Sequence, residues 1–218
     1  MDSETESDFE EDSSLYERLL ADMTSGIFRN GTPLRVQAIA KRYGTSVNPV
    51  REVLRRMEGE GLVRFEKNKG ATTTTLDRRA VLNIFELIKL VEPYLVAGFA
   101  ETCKPDDVDM LARIQDQLRE VPADDRPRFG VLDMKFHQII SARHYNDRAA
   151  RTWLNQRQLL NTLTRNKILT KGRHRDVLRE HDRLIEAFRA NDRAEATKAI
   201  TEHIEGAGRA LVFHLESA

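Results

Sequence analysis

Residues 46–75 read SVNPVREVLRRMEGEGLVRFEKNKGATTTT, and the succession of patterns in them decides how the first third of the chain folds. Asn48-Pro49 suits a helix N-cap and first helical position, because the proline's missing N–H falls where no intrahelical partner exists. Val50, Val53, Leu54 and Met57 then recur at helical spacing, so a helix over Asn48 to Glu58 has one face for a core. Gly59 and Gly61 close it. Leu62-Val63-Arg64-Phe65-Glu66 alternates at strand spacing, Lys67-Asn68-Lys69-Gly70 has the composition of a turn, and Ala71 to Leu76 is rich in threonine and strand-like.

Outward from this stretch, Val36, Ile39, Ala40 and Tyr43 mark a short helix that ends at Gly44. Asn30-Gly31-Thr32-Pro33 reads as a turn. Leu15, Leu19, Met23 and Ile27 mark an earlier helix, with Ser13 or Ser14 as its cap. Helix, helix, turn, helix and hairpin in that order are the parts of a winged helix-turn-helix. Its second helix enters the major groove of double-stranded DNA, where base edges present distinct donor and acceptor patterns. Asn48 and Arg51 point outward from the first turns of that helix, with Arg55 further along. Gln37 opens the preceding helix within reach of phosphate or base, and Lys67, Lys69 and Gly70 form a basic wing.

Charge agrees with that reading. The chain of 218 residues has no formal net charge, but Ser14 to Thr75 carries 11 Lys/Arg against 6 Asp/Glu. A local positive excess suits a polyanionic partner. Residues 1–13 hold seven acidic side chains and no basic one, the composition of a disordered acidic tail. Cys103 is the single cysteine, which excludes an internal disulfide framework and a cysteine zinc cluster. Asn83, Glu86, Lys89 and Glu92 interrupt the most apolar run, Val81 to Ala100, making it amphipathic and not membrane-spanning. The acidic start is unlike a secretory signal, so the protein is expected in the cytoplasm.

From Asp77 onward every segment reads helical: about Arg78 to Thr102, Pro105 to Glu120, Arg126 to His144, Asp147 to Leu169, Arg173 to Ala190 and Arg193 to Glu216. The expected organisation is therefore a tail over 1–13, a winged helix-turn-helix over 14–76 and a helical domain over 77–218, a mostly α chain. Asp133 and His137 stand four residues apart on one helix face. His181 lies within the apolar stripe of Val177, Leu178, Leu184, Ile185 and Phe188. His203 lies within another, of Ala196, Ala199, Ile200, Ala207 and Ala210. Core-facing imidazoles on three helices need polar partners, and one shared divalent ion supplies them all. Three histidines and a carboxylate suit Zn, Ni or another first-row ion. His144 and His214 also fall on apolar stripes, so stripe position alone does not choose ligands.

The segment from Ser46 to Leu54, with Glu60-Gly61-Leu62-Val63 and Lys69-Gly70, resembles the GntR family of bacterial transcription regulators over roughly Leu15 to Thr75. The implied DNA-facing set is Gln37, Ser46, Asn48, Pro49, Arg51, Arg55, Lys67, Lys69 and Gly70. Val47 and Gln37 stand where the family usually, and often, has arginine, which implies a target sequence of this chain's own. Asp133-x-x-x-His137, Glu180-His181 and His203-Ile204 resemble the FCD ligand-binding domain of the FadR subfamily. That resemblance implies an antiparallel all-helical bundle, a metal on Asp133, His137, His181 and His203, a homodimer, and a small organic acid as effector. An arginine that contacts the acid in such regulators aligns with Ile88, leaving the adjacent Lys89 as the candidate effector contact. The expected function is an effector-controlled regulator, more often a repressor in relatives, and not an enzyme. A metal-sensing regulator and a metal-dependent hydrolase use the same four ligands and remain the alternatives.

Overall fold

A computed structural model of the chain describes residues 14–23, 25–29, 31–66, 70–74, 78–164 and 170–216. The acidic tail, Lys67, Lys69 and the expected boundary at 76/77 lie outside the described residues. The chain divides into two compact units, Met1–Leu76 with Asn161–Arg165 and Asp77–Leu160 with Asn166–Ala218.

The first unit holds α1 over 14–23, β1 at Pro33–Leu34, α2 over Val36–Tyr43, α3 over Val47–Gly59, β2 over Val63–Glu66 and β3 over Gly70–Thr73. Apolar spacing explains the three helices. Leu15, Leu19 and Met23 of α1, Ile39 of α2, and Val50, Val53, Leu54 and Met57 of α3 are all buried. Each large aliphatic side chain so buried contributes about 1.5–3 kcal/mol. Polar ties fix how α1 meets α2: Arg42 Nε donates to Asp22 Oδ2 at 2.7 Å, and the Tyr43 hydroxyl donates to the same oxygen at 2.7 Å.

The strands form one antiparallel sheet in the order β1-β3-β2, with Phe65 opposite Ala71 and Pro33 opposite Thr72. Three sequence expectations need correction. Pro33 belongs to β1 and not only to a turn; its ring sits at an edge where no ladder N–H is needed. Ile27 is 51% exposed because α1 ends at 23, so it does not extend the buried stripe. The N-cap of α3 is Ser46, not Asn48, which places Pro49 third in the helix, still among the N–H positions that lack an intrahelical acceptor.

The second unit is all helix among the described residues: α4 over Arg78–Thr102, α5 over Pro105–Arg119, α6 over Arg126–Ala142, α7 over Asp147–Thr164 (in this unit as far as Leu160), α8 over Lys171–Arg189 and α9 over Arg193–Glu216. Helix α9 packs along α4 and α8, and α5 packs on α6 and α8. The core between them is built from Ile88, Phe99, Leu111, Phe136, Trp153, Leu184, Phe188 and Ile200, with Phe99 edge-on to Phe188 at 4.8 Å between ring centroids. Among the described residues no helix is long and apolar enough to cross a membrane.

Candidate nucleic-acid interface and candidate metal centre

Helix α3 presents Asn48, Arg51 and Arg55 to solvent while Val50, Val53, Leu54 and Met57 anchor its other side. Arg51 has no hydrogen bond or ion pair among the described residues, so its five N–H donors are free. Arg55 lies over the Phe65 ring, 5.0 Å from its centroid, and reaches Glu58 at 3.6 Å. That stacking ties the guanidinium to β2. Gln37 and Ser46 are exposed at the N-terminal ends of α2 and α3, and Pro49 is half-buried. Gly70 is exposed with φ +76, a left-handed conformation that makes a glycine there appropriate for a tight turn into β3. Arg56 differs from its neighbours: it packs over Tyr16 at 4.0 Å and pairs with Glu60 at 3.3 Å, so it joins α3 to α1.

In the second unit, Asp133 and His137 of α6, His181 of α8 and His203 of α9 each bring one ligand-type atom to a common point, all four within 4.8 Å of one another. The three imidazoles are almost wholly buried, and Phe136 stacks flat on His181 at 4.1 Å between centroids. His137 Nε2 and His181 Nε2 are 3.3 Å apart, and Asp133 Oδ1 lies 3.6 Å from His181 Nε2 and 3.9 Å from His137 Nε2.

What surrounds the rings sets their tautomers. Glu92 Oε1 on α4 lies 2.7 Å from His137 Nδ1, too oblique for a straight hydrogen bond but close enough to favour a proton there. Gln115 Nε2 donates to Leu178 O at 2.7 Å and Asp182 Oδ1 at 2.9 Å, which turns its Oε1 toward His181 Nδ1 at 3.3 Å. Glu180 Oε2 accepts from His203 Nδ1 at 2.8 Å, and Arg173 holds the other Glu180 oxygen at 2.8 Å. Arg173 also donates to His203 O at 3.0 Å. It reaches there across Gly206, where a Cβ would stand 2.7 Å from its Nη1. With each Nδ1 facing an acceptor, the Nε2 atoms are left as lone pairs aimed at one another and at a carboxylate. Four acceptors without a donor among them are the arrangement a divalent cation satisfies, and outer acceptors on ligating imidazoles are its usual companions. The residues present therefore fit a metal.

The electrostatics agree. Burial alone would raise the Asp133 carboxyl, but opposing positive charge, Arg157 foremost, outweighs it and holds it well below the usual carboxylate range. Glu92 shows the same balance, with burial opposed by Arg157 and His137, and sits at about 2. Glu180 is also held at about 2, by His203 and Arg173 against burial. Burial, then the neighbouring imidazoles, push His181 well below its ordinary value. Burial also lowers His203, although Glu180 partly opposes it. The carboxylates are thus charged and these two rings neutral at physiological pH, the protonation states a metal requires.

The other buried histidines are already satisfied. His174 Nε2 donates to Val121 O at 3.1 Å and packs on Phe129, while His144 Nδ1 accepts from Asn146 N at 3.0 Å and lies over Gly98. The side chain of His214 lies outside the described residues. Lys89 is not brought to the cluster: it is exposed and its Nζ pairs with Glu205 at 2.7 Å. Ile88, four residues before Glu92, takes the inward position instead. Sequence reasoning missed Gln115, Arg157 and Arg173 altogether. It used Glu92 as an interruption of an apolar run and as the anchor for aligning Ile88, and Glu180 as a neighbour of His181, without giving either a role at the cluster. A charged residue inside an amphipathic helix face was the available signal.

Comparison with known proteins follows the same division. A family model described as FCD domain matches residues 83–206, and one described as bacterial regulatory proteins, gntR family, matches residues 12–72. The chain is 23% identical over 189 residues to the gluconate operon transcriptional repressor of Bacillus subtilis (strain 168), spanning 84% of this chain and 77% of that protein. It is 25% identical over 209 residues to the galactonate operon transcriptional repressor of Escherichia coli (strain K12), spanning 85% and 90%. Among solved structures, E. coli McbR/YncC superposes with a TM-score of 0.80 at 17% identity, covering 93% of this chain and 96% of that one. A putative transcriptional regulator GntR from Rhodococcus sp. RHA1 does so at 0.74 and 20%, covering 94% and 98%. At such identities the structural likeness speaks for the fold.

Proposed function

Because this chain belongs to the GntR family of bacterial regulatory proteins and carries an FCD domain, we propose that it is a metal-containing repressor whose grip on its operator is set by a small organic acid. That it is a DNA-binding transcriptional regulator, and not an enzyme, follows from the family itself. The finer reading is supported by one observation above all: four acceptor atoms converge, and the tautomers of the rings leave no donor among them. Asp133, His137, His181 and His203 hold the ion, Zn or Ni, with Glu92, Gln115 and Glu180 orienting the rings. The ion supplies a Lewis-acidic anchor for a carboxylate.

Asn48, Arg51 and Arg55 meet base edges in this reading, while Gln37, Ser46, Pro49, Gly70 and the wing lysines Lys67 and Lys69 lie against the backbone. The chain acts in the cytoplasm as a homodimer, because a two-fold pair of recognition helices reads two half-sites about one DNA turn apart. Repression is supported by two relatives that are named as repressors, of a gluconate and a galactonate operon. Effector binding shifts the population between operator-competent and operator-incompetent dimers.

The test is operator affinity measured in chelator, in zinc or nickel, and in zinc with gluconate, galactonate or simpler acids. Metal-dependent weakening by an acid is the expected result. An affinity that follows metal alone makes the ion itself the signal, and an affinity indifferent to both removes the regulatory reading.

A further inference from the structure

Arg126 opens α6, where the helix dipole disfavours a cation. It shares one face of the helix with Gly130, Asp133 and His137, and its Nη1 lies 3.0 Å from where a Cβ at Gly130 would stand. The guanidinium therefore runs along α6 toward the turn that carries Asp133. It makes no hydrogen bond or ion pair among the described residues. Burial lowers its proton affinity, with Asp133 favouring its charge and a second cation, Arg157, opposing it. Arg157, on α7, is 5% exposed; its Nη2 reaches Asp133 Oδ2 at 3.3 Å, and its Nε is buried with no partner.

Asp133 thus faces Arg157 through Oδ2 and the imidazoles of His137 and His181 through Oδ1, and Arg126 lies along the same helix face without a partner of its own. One carboxylate therefore faces two cations, and the Arg126 guanidinium and the Arg157 Nε are left without partners among the described residues. Burying unpaired charge is expensive unless a counter-charge joins it.

We propose that Arg126 and Arg157 form an anion-binding subsite beside the Asp133, His137, His181 and His203 cluster, and that the effector is a doubly charged small acid with one carboxylate at the metal and its second anionic group on this arginine pair. The proposal rests on the reading that the cluster holds a divalent ion. It replaces the expected Lys89 contact with two cations from α6 and α7, and it sets specificity by the number of negative charges.

Isothermal titration of the full-length, zinc-loaded protein tests it, with malonate, succinate and glutarate set against acetate and butyrate. Butyrate matches succinate in length but lacks the second carboxylate. At least one dicarboxylate should bind about tenfold or more tighter than its monocarboxylate counterpart, the scale of one added charge-assisted hydrogen bond. Arg126→Gln should bring the two classes near parity with zinc content and fold unchanged, because Arg126 has no structural partner to lose. Arg157→Gln should do the same with some loss of zinc through Asp133. Zinc-loaded wild type that binds mono- and dicarboxylates equally, or neither, overturns the subsite while leaving the metal reading intact. So does an Arg126→Gln variant that keeps the wild-type preference. Wild type that takes up no zinc overturns both.

Discussion

His174 and His181 stand seven residues apart on α8, and both are buried, yet they have different partners. His174 donates to Val121 O, so replacing it by alanine leaves a buried carbonyl unpaired and costs about 1–3 kcal/mol. His174→Ala should lower the melting temperature and keep the metal. His181→Ala should lower the melting temperature and lose the metal, because the ion stabilises the native state by mass action, about 2.7 kcal/mol at a hundredfold excess over Kd. Thermal melts with and without chelator separate the two, since only wild type and His174→Ala should respond to chelator. Glu180→Gln keeps an acceptor for His203 but removes the charge shared with Arg173. It should weaken metal binding by about 10–100-fold, read by competition with a chelating dye. An unchanged affinity would mean that Glu180 serves only the Arg173 ion pair.

At the scale of elements, α3 is the helix proposed to read DNA. Arg51→Ala should weaken specific operator binding by about 1–3 kcal/mol if it reads a base through two hydrogen bonds, and should barely change the melt because it has no partner in the free protein. Fluorescence anisotropy on operator and on random DNA checks this, and equal losses on both would assign Arg51 to phosphate. Arg56→Ala should do the reverse, costing stability through Tyr16 and Glu60 with little effect on specificity. The helices and the β2–β3 hairpin were legible because hydrophobic period is a property of neighbours in sequence. The α3 cap was misplaced by two residues because Asn-Pro is a strong local signal at a position where Ser46 also fits. Strand β1 was missed because two residues have no period, and only pairing with β3 makes them a strand. The four converging side chains were legible from stripe position together with family resemblance. Gln115, Arg157 and Arg173 were not, since their roles depend on which helices face each other.

For the whole molecule, pH dependence follows from the same buried groups. His181 and His203 are lowered by burial, so below about 6.5 the unfolded chain gains protons that the folded chain refuses. Metal-free protein should therefore be most stable above that value and lose stability as pH falls below it. Glu92 and Glu180, held at about 2, add stability that is full above the ordinary carboxylate value of about 4.3 and is lost from there downward. Melting temperature measured in chelator from pH 8 to 4.5 should be level at first and then decline below about 6.5. A level profile through pH 5 would mean that these rings titrate normally. Dimerisation belongs to this scale too: sedimentation at micromolar concentration should give a dimer, and a monomer that binds operator alone would remove the two-fold reading.

The most direct measurement is elemental analysis of purified protein after loading with zinc and extensive dialysis, on wild type, His181→Ala and His174→Ala side by side. The expected result is about one ion per chain in wild type and His174→Ala and almost none in His181→Ala. Wild type that retains no ion, or a His181→Ala variant that retains as much as wild type, would contradict it.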